Sequence, residues 1–297
     1  MINGLIVINK EKKYTSFDVV AVLRGILGTR KIGHTGTLDP DAEGVLVACV
    51  GNATKIAGFL LDESKTYEAV MLLGKTTDTQ DMTGNVLEER PVSCTFEEIS
   101  NCMESFVGEY DQIPPMYSAV KINGKRLYEL ARKGKTVDRD PRRVSISEIN
   151  IKSADIPEVS FEVKCSKGTY IRTLCNDIGR KLGCGGAMKS LRRTAAGRFT
   201  IKDAVTLDEL RDIVNGRSSR TIDDVIIKTD EYYGEFPKVV CAKKDDRLLE
   251  NGNKIANDYG IDKSVKYVRM YLSDGMFKGI YVFHAKENVL KPFRMFV

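Results

Sequence analysis

The sequence predicts an α+β protein in two unequal parts, a large domain over residues 1–235 and a small β-rich one over 236–297. Three observations carry this. Strand-like and helix-like runs are mixed along most of the chain. After about residue 230 the texture changes to short strands separated by turn signals (ENGN, NDYG, SDGM), as in a small β-barrel or sandwich. The length, 297 residues, suits one large domain and a small one.

Taken in order, GLIVIN (4–9) reads as a buried strand. Ser16 is the expected cap of a helix, SFDVVAVLRGIL, that stops at Gly28. GTRKIGHTGTLDPDAEG (28–44) is too rich in glycine to be regular, and VLVACVG and KTYEAVMLLG follow as strands. Thr95 and Glu98 have the capping-box spacing and open a helix, TFEEISNCMESF. DQIPPM interrupts the chain, Asn123-Gly124 marks a tight turn, and KRLYELARK reads as a basic helix ended by Gly134. RRVSISEINI and EVSFEVKCS look like paired strands, TYIRTLCNDIGRKLG like a helix ended by Gly183, and Thr206 and Glu209 cap another, TLDELRDIVNG. No internal repeat is visible.

Composition narrows the function. The apolar stretch before Asn9 is too short for a signal peptide or a membrane span, and no later run is long enough to span. Seven cysteines form no CxxC pair, so reduced thiols in a cytoplasm are expected. With two histidines, His34 and His284, neither near a cysteine pair, no zinc site is expected. The net charge is +5, yet residues 121–143 alone hold nine Lys or Arg against three Asp or Glu, leaving the rest close to neutral. Such a run attracts a polyanion or covers a solvated helix face, and charge alone does not choose.

The glycine-rich stretch is the place for chemistry. Gly28 and Gly33 have P-loop spacing, but His34 and Thr35 stand where Lys and Ser or Thr are needed. A Ser-His-Asp triad has neither a GxSxG elbow nor a second histidine to choose from. Asp39 remains, between Leu38 and Pro40. Pro40 biases it toward extended backbone, and the glycines allow close approach. It is either the floor of a cleft or a surface Asx-turn.

GHTGTLDPDAEGVL resembles the catalytic motif of the TruB family of pseudouridine synthases. KTYEAVMLLGKTTDTQDMTG, IPPMYSAVKINGKRLYELARKG, CSKGTYIRTLCNDIGRKL and LRRTAAGRF resemble the same family in the same order, over about residues 4–210. The resemblance implies a central, mainly antiparallel sheet flanked by helices. It also implies isomerisation of a uridine in the T-loop of tRNA, at position 55, to pseudouridine without cofactor or metal.

By that resemblance Asp39 is the nucleophile and Arg172 its partner, keeping it ionised when RNA excludes water. Tyr67 stacks on the target base and is a candidate to remove the C5 proton, while Tyr170 and Leu191 line the pocket. His34 braces the stack left by the flipped nucleotide. Residues 114–143 resemble an RNA-binding thumb, with Lys121, Arg126 and Arg132 expected on the RNA. Lys189, Arg192, Arg193 and Arg198 form a second basic cluster beside Leu191, with Arg192 taken as a substrate contact. Lys10 matches a family lysine and is expected at the substrate, although Glu11 stands where the family has proline. Residues 236–297 resemble a PUA module, and a monomer that needs no protein partner is implied. Three rivals remain: a guide-RNA-dependent synthase acting on ribosomal RNA, a non-catalytic tRNA-binding or folding protein, and a small-molecule enzyme acting on free uridine or its monophosphate, which the basic surface disfavours.

Overall fold

The computed structural model describes residues 2–122 and 124–296. Its main sheet has ten strands: β1 (Gly4–Lys10), β2 (Ile32–Thr35), β3 (Glu43–Val50), β4 (Lys65–Leu73), β5 (Gly108–Gln112), β6 (Arg142–Asp155), β7 (Glu158–Cys165), β8 (Gly186–Ala196), β9 (Phe199–Thr200) and β10 (Ile226–Ile227). The order is β10-β1-β3-β8-β4-β7-β6-β5, with β9 beside β8 and β2 beside β3. All pairings are antiparallel except the short β3–β8 contact, where Arg192 and Arg193 meet Glu43 and Gly44. The α+β expectation and the antiparallel sheet both hold.

Period-two alternation decides what each half of the sheet buries. In β1 and β3 both faces are covered. Ile6, Ile8, Leu46 and Ala48 pack under helices α1 (Ser16–Leu27) and α4 (Leu207–Val214), while Leu5, Val7, Val45 and Val47 face the opposite way. In β4 and β7 only one face is buried: Tyr67, Ala69, Met71, Phe161 and Val163 lie against α2 (Phe96–Glu104) and α3 (Ile171–Lys181).

A second, open sheet of five strands follows: β11 (Lys238–Val240), β12 (Ile255–Ala256), β13 (Tyr267–Tyr271), β14 (Phe277–His284) and β15 (Val289–Met295), in the order β11-β13-β14-β15-β12. It has its own core around Val268, Met270, Tyr281 and Leu290. It also shares one, since Ile280 and Phe296 join Leu5, Val7, Val47 and Ile56 of the large domain. Asn52 Nδ2 donates to the Phe296 carbonyl at 3.2 Å, and Arg294 Nη1 to that of Lys55 at 2.7 Å.

Several local expectations shift. The α1 cap is Thr15, in a reciprocal capping box with Asp18, and Ser16 turns inward instead. The basic helix shrinks to Leu127–Ala131, preceded by a small hairpin, Lys121–Ile122 with Lys125–Arg126. Of the expected turn, Asn123 lies outside the described residues and Gly124 has φ +78°. LRRTAAGRF, which carries no obvious strand signal, lies largely within β8 at the centre of the sheet.

Candidate active site

The glycine-rich stretch forms β2 and the turn joining it to β3. Asp39 begins a tight turn closed by the Ala42 N–H on its carbonyl, 3.1 Å. Three neighbours hold that turn. Ser16 Oγ accepts from the Leu38 N–H at 2.9 Å and donates to the Leu38 carbonyl at 3.3 Å. The Lys13 N–H donates to the Pro40 carbonyl at 2.8 Å. Lys10 Nζ donates to the carbonyls of Pro40 (3.0 Å), Tyr14 (2.7 Å) and Glu11 (2.9 Å).

Asp39 and Arg172 are 133 positions apart and meet side by side. Arg172 Nε lies 2.9 Å from Asp39 Oδ2, and Nη2 donates to Oδ1 at 3.3 Å, a two-pronged pairing. The guanidinium is buried, with 5% of its side chain exposed, whereas the carboxylate is 41% exposed. Arg172 is fixed from behind: Nη1 donates to the Thr79 carbonyl at 3.0 Å and Nη2 to that of Tyr117 at 2.9 Å. The carboxylate is thus oriented by a cation that cannot swing away, with a free flank toward solvent where a substrate atom can approach.

A second carboxylate, not singled out from the sequence, completes this network. Asp81 Oδ2 is 3.6 Å from Arg172 Nε, with 13% of its side chain exposed. Its Oδ1 accepts from Thr79 Oγ1 at 2.8 Å and from the Thr83 N–H at 3.0 Å. The signal lay in KTTDTQDMTG, where clustered Thr and Asp favour side-chain-closed turns.

Beside the turn, Tyr67 of β4 and Leu191 of β8 project from the same sheet face and share a cluster with Leu38 and Ala42. Burial raises the Tyr67 pKa, and the Arg193 guanidinium opposes that rise. Arg193 lies 6.0 Å from the centre of the Tyr67 ring, is 1% exposed, and donates to the carbonyls of Val45 (2.6 Å) and Gly36 (2.8 Å). Glycine is needed here: a Cβ on Gly44, at φ +104°, would sit 2.2 Å from the Arg193 carbonyl oxygen. Arg193, placed by the sequence in a basic cluster beside Leu191, is therefore an internal brace joining the Asp39 turn to the tyrosine strand.

Tyr170 precedes α3 and is half-buried, its backbone clasped by the Gln112 amide at 2.8 and 3.0 Å, and burial raises its pKa. His34 packs edge-on against Phe17, ring centres 5.3 Å apart. Among the described residues its Nδ1 is buried without a partner, and burial first, then Arg193, lowers its pKa.

Two expected substrate contacts are corrected. Lys10 is fully buried and its three donors go to carbonyls, so it holds the turn rather than meeting RNA. Desolvation lowers its pKa to about 8 against the pull of Asp41 and Asp39. Arg192 is exposed but stands opposite Glu68, one residue out of phase with Leu191 and Arg193, and so on the other face of the sheet. The rest of that basic cluster disperses too: Lys189 pairs with Glu158, and Arg198 stacks on Tyr232 at 4.3 Å.

In the insertion between β5 and β6, Lys121 and Arg132 are exposed and Arg126 half-exposed. Arg126 and Arg132 lie 5.8 and 5.5 Å from the centre of the Tyr128 ring. Its root is tied to the site through the Tyr117 carbonyl on Arg172.

A family model described as TruB family pseudouridylate synthase (N terminal domain) matches residues 24–171. One described as tRNA pseudouridylate synthase B C-terminal domain matches 172–232. The tRNA pseudouridine synthase B of Lachnoclostridium phytofermentans is 48% identical, covering 99% of this chain and all of that one. The enzyme of the same name from Clostridium novyi is 44% identical over 96% of each. Among solved structures, a chain of a Cbf5-Nop10-Gar1 complex superposes with TM-score 0.72 at 26% identity, over 99% of this chain and 85% of that one.

Proposed function

The chain belongs to the TruB family of pseudouridylate synthases, and on that premise we propose that it converts a uridine of tRNA, at position 55 in the T-loop, to pseudouridine. It is an isomerase of the tRNA pseudouridine synthase type. The observation that carries the assignment to this site is the half-exposed Asp39 carboxylate held in the fork of a buried Arg172.

The reaction breaks the C1′–N1 bond, turns the uracil and joins C1′ to C5. Asp39, aimed by Arg172, attacks or assists departure at the sugar or base and is released at the end. The base must leave its stack to arrive there. Tyr67 and Leu191 receive it on the sheet face beside Asp39, with Tyr170 at the neighbouring helix start and His34 toward the vacated stack. A phenol holds its proton at neutral pH and burial raises the Tyr67 pKa further, so its first task is packing against the base.

Lys121, Arg126 and Arg132 supply phosphate contacts from the thumb. The open sheet over 238–295 is proposed as a PUA-like RNA-binding domain, and the working unit as one chain without cofactor. The seven unpaired thiols fit a cytoplasmic setting. Among the described residues no helix is long and apolar enough to cross a membrane. Identities of 43–48% to named tRNA synthases, against 26% to the Cbf5 complex, favour tRNA over guide-directed RNA.

Asp39→Asn should abolish pseudouridine formation in a tRNA transcript while changing affinity less than about tenfold, roughly 1.4 kcal/mol. Near-native turnover in that variant would remove Asp39 from its role, and no product from the purified native chain alone would remove the reading itself.

A further inference from the structure

The segment that leads from β1 into α1 has work left over after its structural duties are counted. Lys10, Lys13 and Ser16 spend their bonds on Pro40 and Leu38, the two residues flanking Asp39. Between and beyond those anchors the chain turns outward. Lys12 and Lys13 are exposed, and among the described residues neither ammonium has a carboxylate partner. Tyr14 is 36% exposed and Phe17 is 67% exposed, the most open of the large apolar side chains described. Thr15, not Phe17, performs the capping of α1, so nothing in the helix requires an aromatic ring at that place.

The Phe17 ring is not adrift. It stands edge-on to His34, 86° between planes, whose Nδ1 is buried without a hydrogen-bond partner among the described residues. An exposed ring held by a neighbouring ring presents a flat face at low conformational cost. Two unpaired ammonium groups lie on the same short segment. A flat apolar face beside free cations is what a single-stranded nucleic acid needs: a base to stack and phosphates to neutralise. A protein partner of matching acidic and apolar character is disfavoured, because the backbone of this segment is bonded directly to the catalytic turn and RNA must already pass there.

We propose that residues 12–17 form a second RNA-contact strip, in which Phe17 stacks on an unpaired base next to the flipped uridine while Lys12 and Lys13 meet the adjoining phosphates. The strip deepens the reading of the site as a tRNA-modifying centre and rests on it. Because it is bonded to both neighbours of Asp39, RNA seated on it is registered against the carboxylate rather than merely captured.

The test uses the full chain with a tRNA transcript as probe. Phe17→Ala is expected to raise KM and Kd by about fivefold to a hundredfold, the range for losing one base–aromatic stack. Phe17→Tyr should restore native affinity and Phe17→Leu should not, because leucine keeps the apolar surface but not the flat face. Lys12→Gln with Lys13→Gln should lower the slope of log Kd against log salt by roughly two phosphate contacts. Because Phe17 is exposed, circular dichroism should report native folding in every variant. Native Kd and KM in Phe17→Ala, or equal rescue by leucine and tyrosine, would overturn the stacking role, and an unchanged salt slope the phosphate role. Absence of pseudouridine with the unmodified chain would instead mark failure of the functional reading, so the two outcomes are separable.

Discussion

Replacing Arg193 by methionine removes a cation from the interior while nearly keeping its volume. Two charge-assisted hydrogen bonds disappear, to the Val45 and Gly36 carbonyls at 2.6 and 2.8 Å. At about 1.5–3 kcal/mol each, the loss is about 3–6 kcal/mol, a large share of the ~5–15 kcal/mol that holds a typical domain folded. Arg193→Lys keeps the charge, but one ammonium on a shorter stem cannot serve both carbonyls, so roughly half that loss is expected. Urea unfolding followed by circular dichroism measures the stability, and turnover of a tRNA transcript measures the site. Because Arg193 also opposes the burial-driven rise of the Tyr67 pKa, the methionine variant should titrate that phenol at still higher pH. If Arg193→Met unfolds within about 1 kcal/mol of the native chain and turns over normally, the brace assignment is wrong.

Other consequences follow from the same geometry. Ser16→Ala leaves the buried Leu38 N–H unpaired and should cost about 1–3 kcal/mol, with kcat falling more than KM because the turn carrying Asp39 loosens; a pure KM effect would contradict this. Lys10 titrates at about 8 in the fold against 10.5 unfolded, so the favourable contribution of its neutral form is complete above 10.5, declines through that interval and is gone below about 8. Relative to Lys10→Met, the native chain should therefore gain stability as pH rises from 8 to 10.5, and parallel urea midpoints across that range would refute the shift. Truncation after residue 235 should destabilise the remaining domain, since Leu5, Val7 and Ile56 lose Ile280 and Phe296; an unchanged thermal midpoint would show the shared core to be dispensable.

What could be read in the sequence divides along physical lines. Local devices were legible: the Thr95–Glu98 and Thr206–Glu209 boxes need only three-residue spacing, and both form. The same rule applied one residue earlier would have chosen Thr15 over Ser16, because Asp18 completes its box. The Asp39–Arg172 pair was out of reach of spacing rules, being 133 positions apart, and came from family resemblance. Adjacent arginines 192 and 193 show the remaining gap. Identical in chemistry, one is exposed and the other 1% exposed, and only the position of β8 at the centre of the sheet decides which. Burial also reversed the reading of Lys10, which family resemblance put at the substrate and whose surroundings are carbonyls.

The apolar seam between the two sheets has a metrical consequence. Ile280 and Phe296 are wedged among strands that end at the catalytic turn, with Asn52 and Arg294 bolting the rim. The tail is therefore held at a set span from the turn bearing Asp39, like the fixed jaw of a caliper. If RNA meets the tail as proposed above, its uridine must arrive at that span, and substrates would be sorted by length before any base is read.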